Sequence, residues 1–196
     1  MISEPESLEK LHWRGRNLNK FMKEMMSTGI YLLVVLILTY LVITFVGQRT
    51  EVSGESMEST LEDGDNLIVD KISYRLGEPK RYDIIVFPFR YDPGTFYIKR
   101  IIGLPGETVR IDREGKIYIN DQILNEAYGR EIIKESMIGI AEMPITLGED
   151  EYFVMGDNRN HSADSRTAEV GNIKKSDMIG KVWIRIWPLS KFGKVN

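Results

Sequence analysis

The stretch "TVRIDREGKIYIN", Thr108 to Asn120, alternates apolar and polar residues on both sides of Glu114-Gly115. Side chains on a strand point to opposite faces in turn. Val109 and Ile111, then Ile117 and Ile119, therefore predict two half-buried strands joined by a tight turn. Similar short apolar runs recur on either side of this hairpin. Upstream are "DNLIVDKI" (65–72) between Gly64 and Gly77, "YDIIVFPF" (82–89), and "TFYIKRIIGL" (95–104), which runs into the turn signal "LPGE". Downstream are "DEYFVMGDN" (150–158) and "KVWIRIWPL" (181–189). Many short strands with few helical patterns predict a mainly β domain of antiparallel sheets folded on themselves. Residues 125–150 have no clear period and are expected to form a loop-rich excursion from the main sheet.

Ahead of the strands the pattern changes. From Met25 to Gln48 there is no charged residue, and the centre reads "IYLLVVLILTYLVITFV", Ile30 to Val46. A bilayer span needs about 20 mainly apolar residues. Apolar side chains cover every face here, unlike the one-sided stripe of a helix on a soluble core. A cleaved signal peptide would have an apolar region of about 7–15 residues and small residues at its end. "FVGQRT" follows instead, so the expectation is an uncleaved transmembrane helix.

Arg14, Arg16, Lys20 and Lys23 precede the span, whereas Arg49 is followed by Glu51, Glu55, Glu58, Glu62, Asp63 and Asp65. Lysine and arginine near span ends stay on the cytoplasmic side. The expected organisation is a basic cytoplasmic segment at 1–27, with Trp13 and Phe21 as candidate interfacial anchors. A single-pass anchor follows at 28–48, and an extracytoplasmic domain at 49–196.

Composition removes several chemistries. The chain has no cysteine, which excludes thiol nucleophiles, disulfides and cysteine-ligated zinc. Its formal net charge of −3 gives no reason to expect nucleic acid. No phosphate-binding glycine loop or H-E-x-x-H helix occurs. "GDNRNHSADS" (156–165) is rich in oxygen ligands, but Arg159 and His161 fall where an EF-hand needs acceptors. No metal or other cofactor is expected.

"EVSGESMESTL", Glu51 to Leu61, places Ser56 just past the span. Glu58 stands where a G-x-S-x-G elbow needs its second glycine, so that hydrolase motif fails. A nucleophilic serine needs a proton acceptor. Of the two histidines, His12 lies before the span and is expected on its far side, leaving His161. An aspartate or a lysine is the alternative, and serine–lysine pairs are an established variant. A lysine base must be uncharged, so its pKa has to fall from about 10.4 to about 7–8, a differential of roughly 3–5 kcal/mol. Only a desolvated lysine meets that requirement. Lys99 in "FYIKRIIGLPGE" sits on an apolar strand; Tyr97, Lys99 and Ile101 share one face, and Ile98, Arg100 and Ile102 the other. Periodicity does not say which face is buried, but arginine stays protonated in proteins, so of the two cations only Lys99 can act as base.

"SGESMESTL", "YIKRIIGLPGE" and "GDNRNHSADSR", in that order after an N-terminal anchor, resemble the bacterial type I signal peptidases. The compact form resembles those of Gram-positive bacteria, and the likeness runs from Arg49 to "GKVWIRIWPLSKFG". It implies a membrane-bound serine endopeptidase that cuts signal peptides from exported preproteins after small residues at positions −3 and −1. Ser56 would be the nucleophile and Lys99 the general base. Ser162 would hydrogen-bond and orient the lysine, while Asp157, Asp164 and Arg166 would support the site. His161 would be a bystander.

Met57, Leu61, Tyr97 and Ile98 are candidates to line the substrate pockets. The implied partners are exported preproteins, membrane lipid and an encounter with the export translocon. Trp183 and Trp187 are candidate lipid contacts, with core burial expected for at least one. Two departures stand out: Gly54 replaces a serine that supplies an oxyanion donor in some relatives, and Ser59 replaces the usual proline. The rival readings are a self-cleaving or plasmid-transfer relative and a non-enzymatic, membrane-tethered adaptor that binds exported chains.

Overall fold

The computed structural model describes residues 8–41 and 47–195, with side chains from Lys20 onward. Residues 1–7 of the basic segment, residues 42–46 of the span, and the side chains of His12 and Trp13 lie outside that description. The chain divides into two compact units. The first contains one helix, α1, Leu8–Leu41. Its Lys20–Leu41 part is long and apolar enough to cross a membrane, and its side chains are exposed in the isolated chain. Leucine, methionine, lysine and glutamate are good helix formers, and "FMKEMM" continues the helix directly into the apolar run.

The second unit is a β domain. Its strands are β1 (Gly47–Glu51), β2 (Asn66–Asp70), β3 (Ile84–Phe89), β4 (Asp92–Gly103), β5 (Thr108–Ile111), β6 (Ile117–Ile119), β7 (Gln122–Ile123), β8 (Ile145–Thr146), β9 (Glu151–Met155), β10 (Ile173–Lys174), β11 (Gly180–Trp187) and β12 (Gly193–Lys194). Among the described residues they form an antiparallel sheet in the order β1-β2-β11-β3-β4-β9-β10, with β12 on β11, and a smaller sheet β7-β6-β5-β8. Thr108–Asn120 forms the expected hairpin, with Val109 opposite Ile119 and Ile111 opposite Ile117. Gly47 and Gln48, at the end of the uncharged run, belong to β1 and pair with Asp70 and Val69.

The large sheet is covered on both faces. Ile84, Val86 and Ile98 pack on one side with Val52, Met57, Leu61, Leu67, Val69 and Val182. Ile85, Phe87 and Ile101 pack on the other with Tyr74, Tyr152 and Val154. Each fully buried apolar side chain contributes about 1.5–3 kcal/mol. β4 lies between β3 and β9, its central stretch carries residues of both clusters, Ile98 and Ile101, and Lys99 and Arg100 are both buried.

Residues 125–150 contain 3-10 turns at Glu135–Met137 and Gly139–Glu142 and the short β8. Ile133, Ile138, Ala141 and Leu147 nevertheless pack with Val109, Ile111 and Ile117, so this segment covers the small sheet. The tryptophans correct another expectation. Trp183 is 51% exposed and Trp187 55%, and neither is in the core.

Candidate active site

Ser56 lies in the loop between β1 and β2. This loop is closed by backbone bonds from Val52 N–H to the Asp65 carbonyl and from Gly64 N–H to the Val52 carbonyl. Lys99 projects from the centre of β4, opposite Ile85 of β3. The topology brings the two together: Lys99 Nζ lies 2.7 Å from Ser56 Oγ. The ammonium also donates to the Ile98 carbonyl at 3.0 Å, and the Tyr97 ring centroid is 5.1 Å away.

Lys99 is only 4% exposed. Burial is the largest influence on its pKa and carries it from the ordinary 10.5 down to about 8; Asp164 opposes the fall, Arg166 assists it, and Asp157 opposes it. Desolvation disfavours the charged form of an amine. The amine is thus poised to hold or release a proton near neutral pH, in contact with a hydroxyl.

The "GDNRNHSADSR" segment builds the wall behind this pair. Asn158 N–H donates to the Ser56 carbonyl at 3.1 Å, and Asn158 Nδ2 to the Glu55 carbonyl at 3.1 Å. At Gly156 the walls leave no room for a side chain, because a Cβ would collide with the Ser56 carbonyl and the Ser162 hydroxyl. Asp164 and Arg166 form a buried two-bond pair, Nε to Oδ1 and Nη2 to Oδ2, both 2.8 Å. Asp164 Oδ2 also accepts the Gly156 N–H at 3.0 Å.

Asp157 pairs with Arg100, the other cation of β4, at 2.9 Å from Nε and 2.7 Å from Nη2. Both members of this pair are fully buried. Asp157 Oδ2 accepts the Thr60 hydroxyl at 2.6 Å, and the Arg100 guanidinium lies 3.7 Å from the Tyr128 ring centroid. Removing one partner of such a pair leaves an uncompensated buried charge and costs about 3–5 kcal/mol.

The other site residues divide. Met57, Tyr97 and Ile98 line a cleft of about 670 Å³ that also holds Ser56 and Lys99. Leu61 does not: it is wholly buried in the core under the loop that carries Ser56. Its position just after the loop turn sends its side chain inward, correcting the pocket assignment. Ser162 is buried, but its hydroxyl has no hydrogen-bond partner among the described residues. The expected direct bond to Lys99 is therefore absent. His161 is exposed on the cleft wall, and the Ser56 hydroxyl bonds to Lys99. No cluster of metal-ligating side chains occurs among the described residues.

Sequence reasoning missed Arg100, Thr60, Asn158 and Gly156. A signal existed for Arg100, since two adjacent cations within an apolar strand cannot both reach water if that strand is central. Gly54 has φ +98°, a region that glycine occupies without penalty. Its N–H is committed to Asp63 Oδ1 at 2.8 Å. The Ser56 N–H, by contrast, has no acceptor among the described residues. Ser59 has φ +63°, which proline cannot adopt, so the serine here accompanies a backbone shape that excludes the proline expected from the resemblance.

Residues 24–187 match the family model described as signal peptidase, peptidase S26. A probable signal peptidase I-2 of Synechocystis is 37% identical over 76% of this chain and 67% of its own length. A signal peptidase I P of Bacillus subtilis subsp. natto is 37% identical over 82% of this chain and 88% of its own. A crystal structure of a signal peptidase I from Enterococcus faecalis, 36% identical, covers 53% of this chain and 96% of its own with a TM-score of 0.43. The chain, with a serine and a buried lysine in contact at its cleft, belongs to the signal peptidases of the peptidase S26 family.

Proposed function

We propose that this signal peptidase is a membrane-anchored serine endopeptidase that cleaves signal peptides from exported preproteins with Ser56 as nucleophile and Lys99 as general base. The observation that carries the reading is the 2.7 Å contact between Lys99 Nζ and Ser56 Oγ in a buried setting. In the neutral state the hydroxyl donates to the amine. Lys99 takes the Oγ proton as Oγ bonds to the scissile carbonyl carbon. The carbonyl oxygen gains the negative charge, and the unengaged Ser56 N–H is placed to stabilise it. As the intermediate collapses, Lys99 delivers its proton to the departing amine. A water molecule deprotonated by Lys99 then attacks the acyl carbon, the bond to Ser56 Oγ breaks, and Lys99 returns the proton to Oγ, releasing the signal peptide and restoring Ser56.

The Asp164–Arg166 and Asp157–Arg100 pairs support this geometry without touching the reacting atoms. Ser162, buried against Gly156, supports the lysine's surroundings by packing. An extended substrate fits along the cleft between β1 and β4, in the manner of a strand added to a sheet. Met57, Tyr97 and Ile98 limit the space there, which accounts for small residues at −3 and −1. The segment 1–27 is read as cytoplasmic, 28–48 as the anchor and 49–196 as the extracytoplasmic catalytic domain. In this reading exported chains meet the site on leaving the translocon, and the half-exposed Trp183 and Trp187 contact lipid. Aromatic side chains of this kind favour the headgroup region.

The test is processing of a preprotein with an A-x-A signal sequence by the purified full-length chain. Ser56→Ala and Lys99→Ala are each expected to abolish cleavage, and His161→Ala to retain it. An active Lys99→Ala enzyme alongside a dead His161→Ala enzyme would refute the dyad.

A further inference from the structure

Arg130, Lys191 and Arg185 each reach the loop that carries Ser56 from outside the segments that form the rest of the site, and of these ion pairs that of Arg185 is the most buried. Arg185 lies in β11, opposite Leu67 of β2, and its side chain is mostly buried. It reaches the loop in two places. Nη2 donates to the Thr60 carbonyl at 2.7 Å, and Nη1 lies 3.1 Å from Asp65 Oδ2. Asp65 in turn ends the loop: its carbonyl takes the Val52 N–H at 2.8 Å, and its carboxylate takes the Glu62 N–H at 2.9 Å.

Thr60 is the residue that both walls of the site hold. Its hydroxyl is fixed by Asp157, itself paired with Arg100, and its carbonyl by Arg185. Its N–H donates to the Met57 carbonyl at 3.0 Å, and the next residue's N–H to the same carbonyl at 2.8 Å. One helical-type turn therefore connects Thr60 to the residue after the nucleophile. Rotation or translation of that turn moves Ser56 Oγ relative to Lys99 Nζ, which is anchored separately on β4.

We propose that Arg185 is a positioning residue for catalysis. By clamping the Thr60 carbonyl to the Asp65 carboxylate, it fixes the turn that sets the Ser56–Lys99 distance. Guanidinium is suited to the task, because its planar fork makes two directed bonds at once whereas an ammonium is a point charge. The effect belongs to kcat: Arg185 is absent from the cleft lining, so its loss displaces the nucleophile while leaving the substrate's contacts in place. Misplacement of a reacting group by about 1 Å costs on the order of 100-fold.

This inference rests on the Ser56–Lys99 reading, and the experiment separates the two. Steady-state processing of an A-x-A preprotein is measured for the full-length wild type, Ser56→Ala, Arg185→Ala and Arg185→Gln, and each variant's thermal unfolding is recorded. Arg185→Ala is expected to lower kcat by about 10- to 100-fold, with KM within about twofold of wild type, at temperatures well below its unfolding midpoint. Arg185→Gln ends near the position of the arginine Nε, short of both acceptors, and is expected to lose kcat to a similar extent while filling more of the buried space. If Arg185→Ala does not fold, Arg185→Gln carries the test. Wild-type kcat in the folded variant, a loss confined to KM, or a loss seen only where the protein unfolds would overturn the assignment of Arg185. An active Ser56→Ala enzyme would overturn the dyad itself, whatever the arginine variants do.

Discussion

The burial that lowers the Lys99 pKa comes at the expense of stability. Its pKa is near 8 in the fold against the ordinary 10.5. Below about pH 8 the folded protein must hold a buried ammonium that the unfolded chain leaves in water. Between 8 and 10.5 the unfolded chain binds more protons, so stability rises with pH there. The full cost is roughly 3 kcal/mol. Lys99→Met is accordingly expected to be inactive yet more stable than wild type at pH 7, by about 1–3 kcal/mol. That gain should shrink as pH approaches the ordinary lysine value; denaturant melts across the pH range check both statements. The chemical argument for a desolvated lysine was legible in the sequence, but the partner of Asp157 was not. Alternation offered one buried and one exposed face for Tyr97 to Ile102, and only the packing on both faces of the sheet shows that Arg100 is buried as well.

At the scale of the element, the loop that carries Ser56 holds Ser59 in the left-handed region. An L-residue in the left-handed region is strained by about 1–2 kcal/mol relative to glycine. Ser59, with φ +63°, is expected to gain up to about 1 kcal/mol of stability on replacement by glycine. Replacement by proline, locked near −65°, should lose about 2 kcal/mol or more. Thermal or urea unfolding of the two variants should show opposite signs; a stabilised Ser59→Pro protein would mean that the loop has another shape. Strands with regular alternation were readable in advance, because each buries one residue in two or runs fully apolar. β1 was not, since "GQRTE" has no apolar alternation and owes its form to pairing with β2. Residues 125–150 were opaque for a related reason. Their core residues enter singly from 3-10 turns, and that spacing matches neither the helix nor the strand period.

For the molecule as a whole, the decisive question is which side of the membrane each unit occupies. The charge asymmetry around the apolar run argues for an extracytoplasmic β domain. Because the natural chain has no cysteine, single cysteines can report the topology without background. In sealed right-side-out vesicles, a membrane-impermeant maleimide is expected to label Glu149→Cys, an exposed position of the β domain, and to spare Ser3→Cys. The reverse pattern would place the cleft on the cytoplasmic side, away from exported substrates. The apolar segment was evident from composition, and so was a mainly β domain after it. Neither the two-sheet arrangement nor the cover over the small sheet could be read, since both depend on pairings between distant segments.

All of these scales meet in the proton held between Lys99 and Ser56. The most direct measurement is the pH dependence of kcat/KM for preprotein cleavage, which reports the free enzyme's ionisations. The account predicts activity that rises with pH through an inflection near 8, where the buried amine loses its proton. A profile flat from pH 7 to 9, or one still rising toward the ordinary lysine value of 10.5, would contradict it.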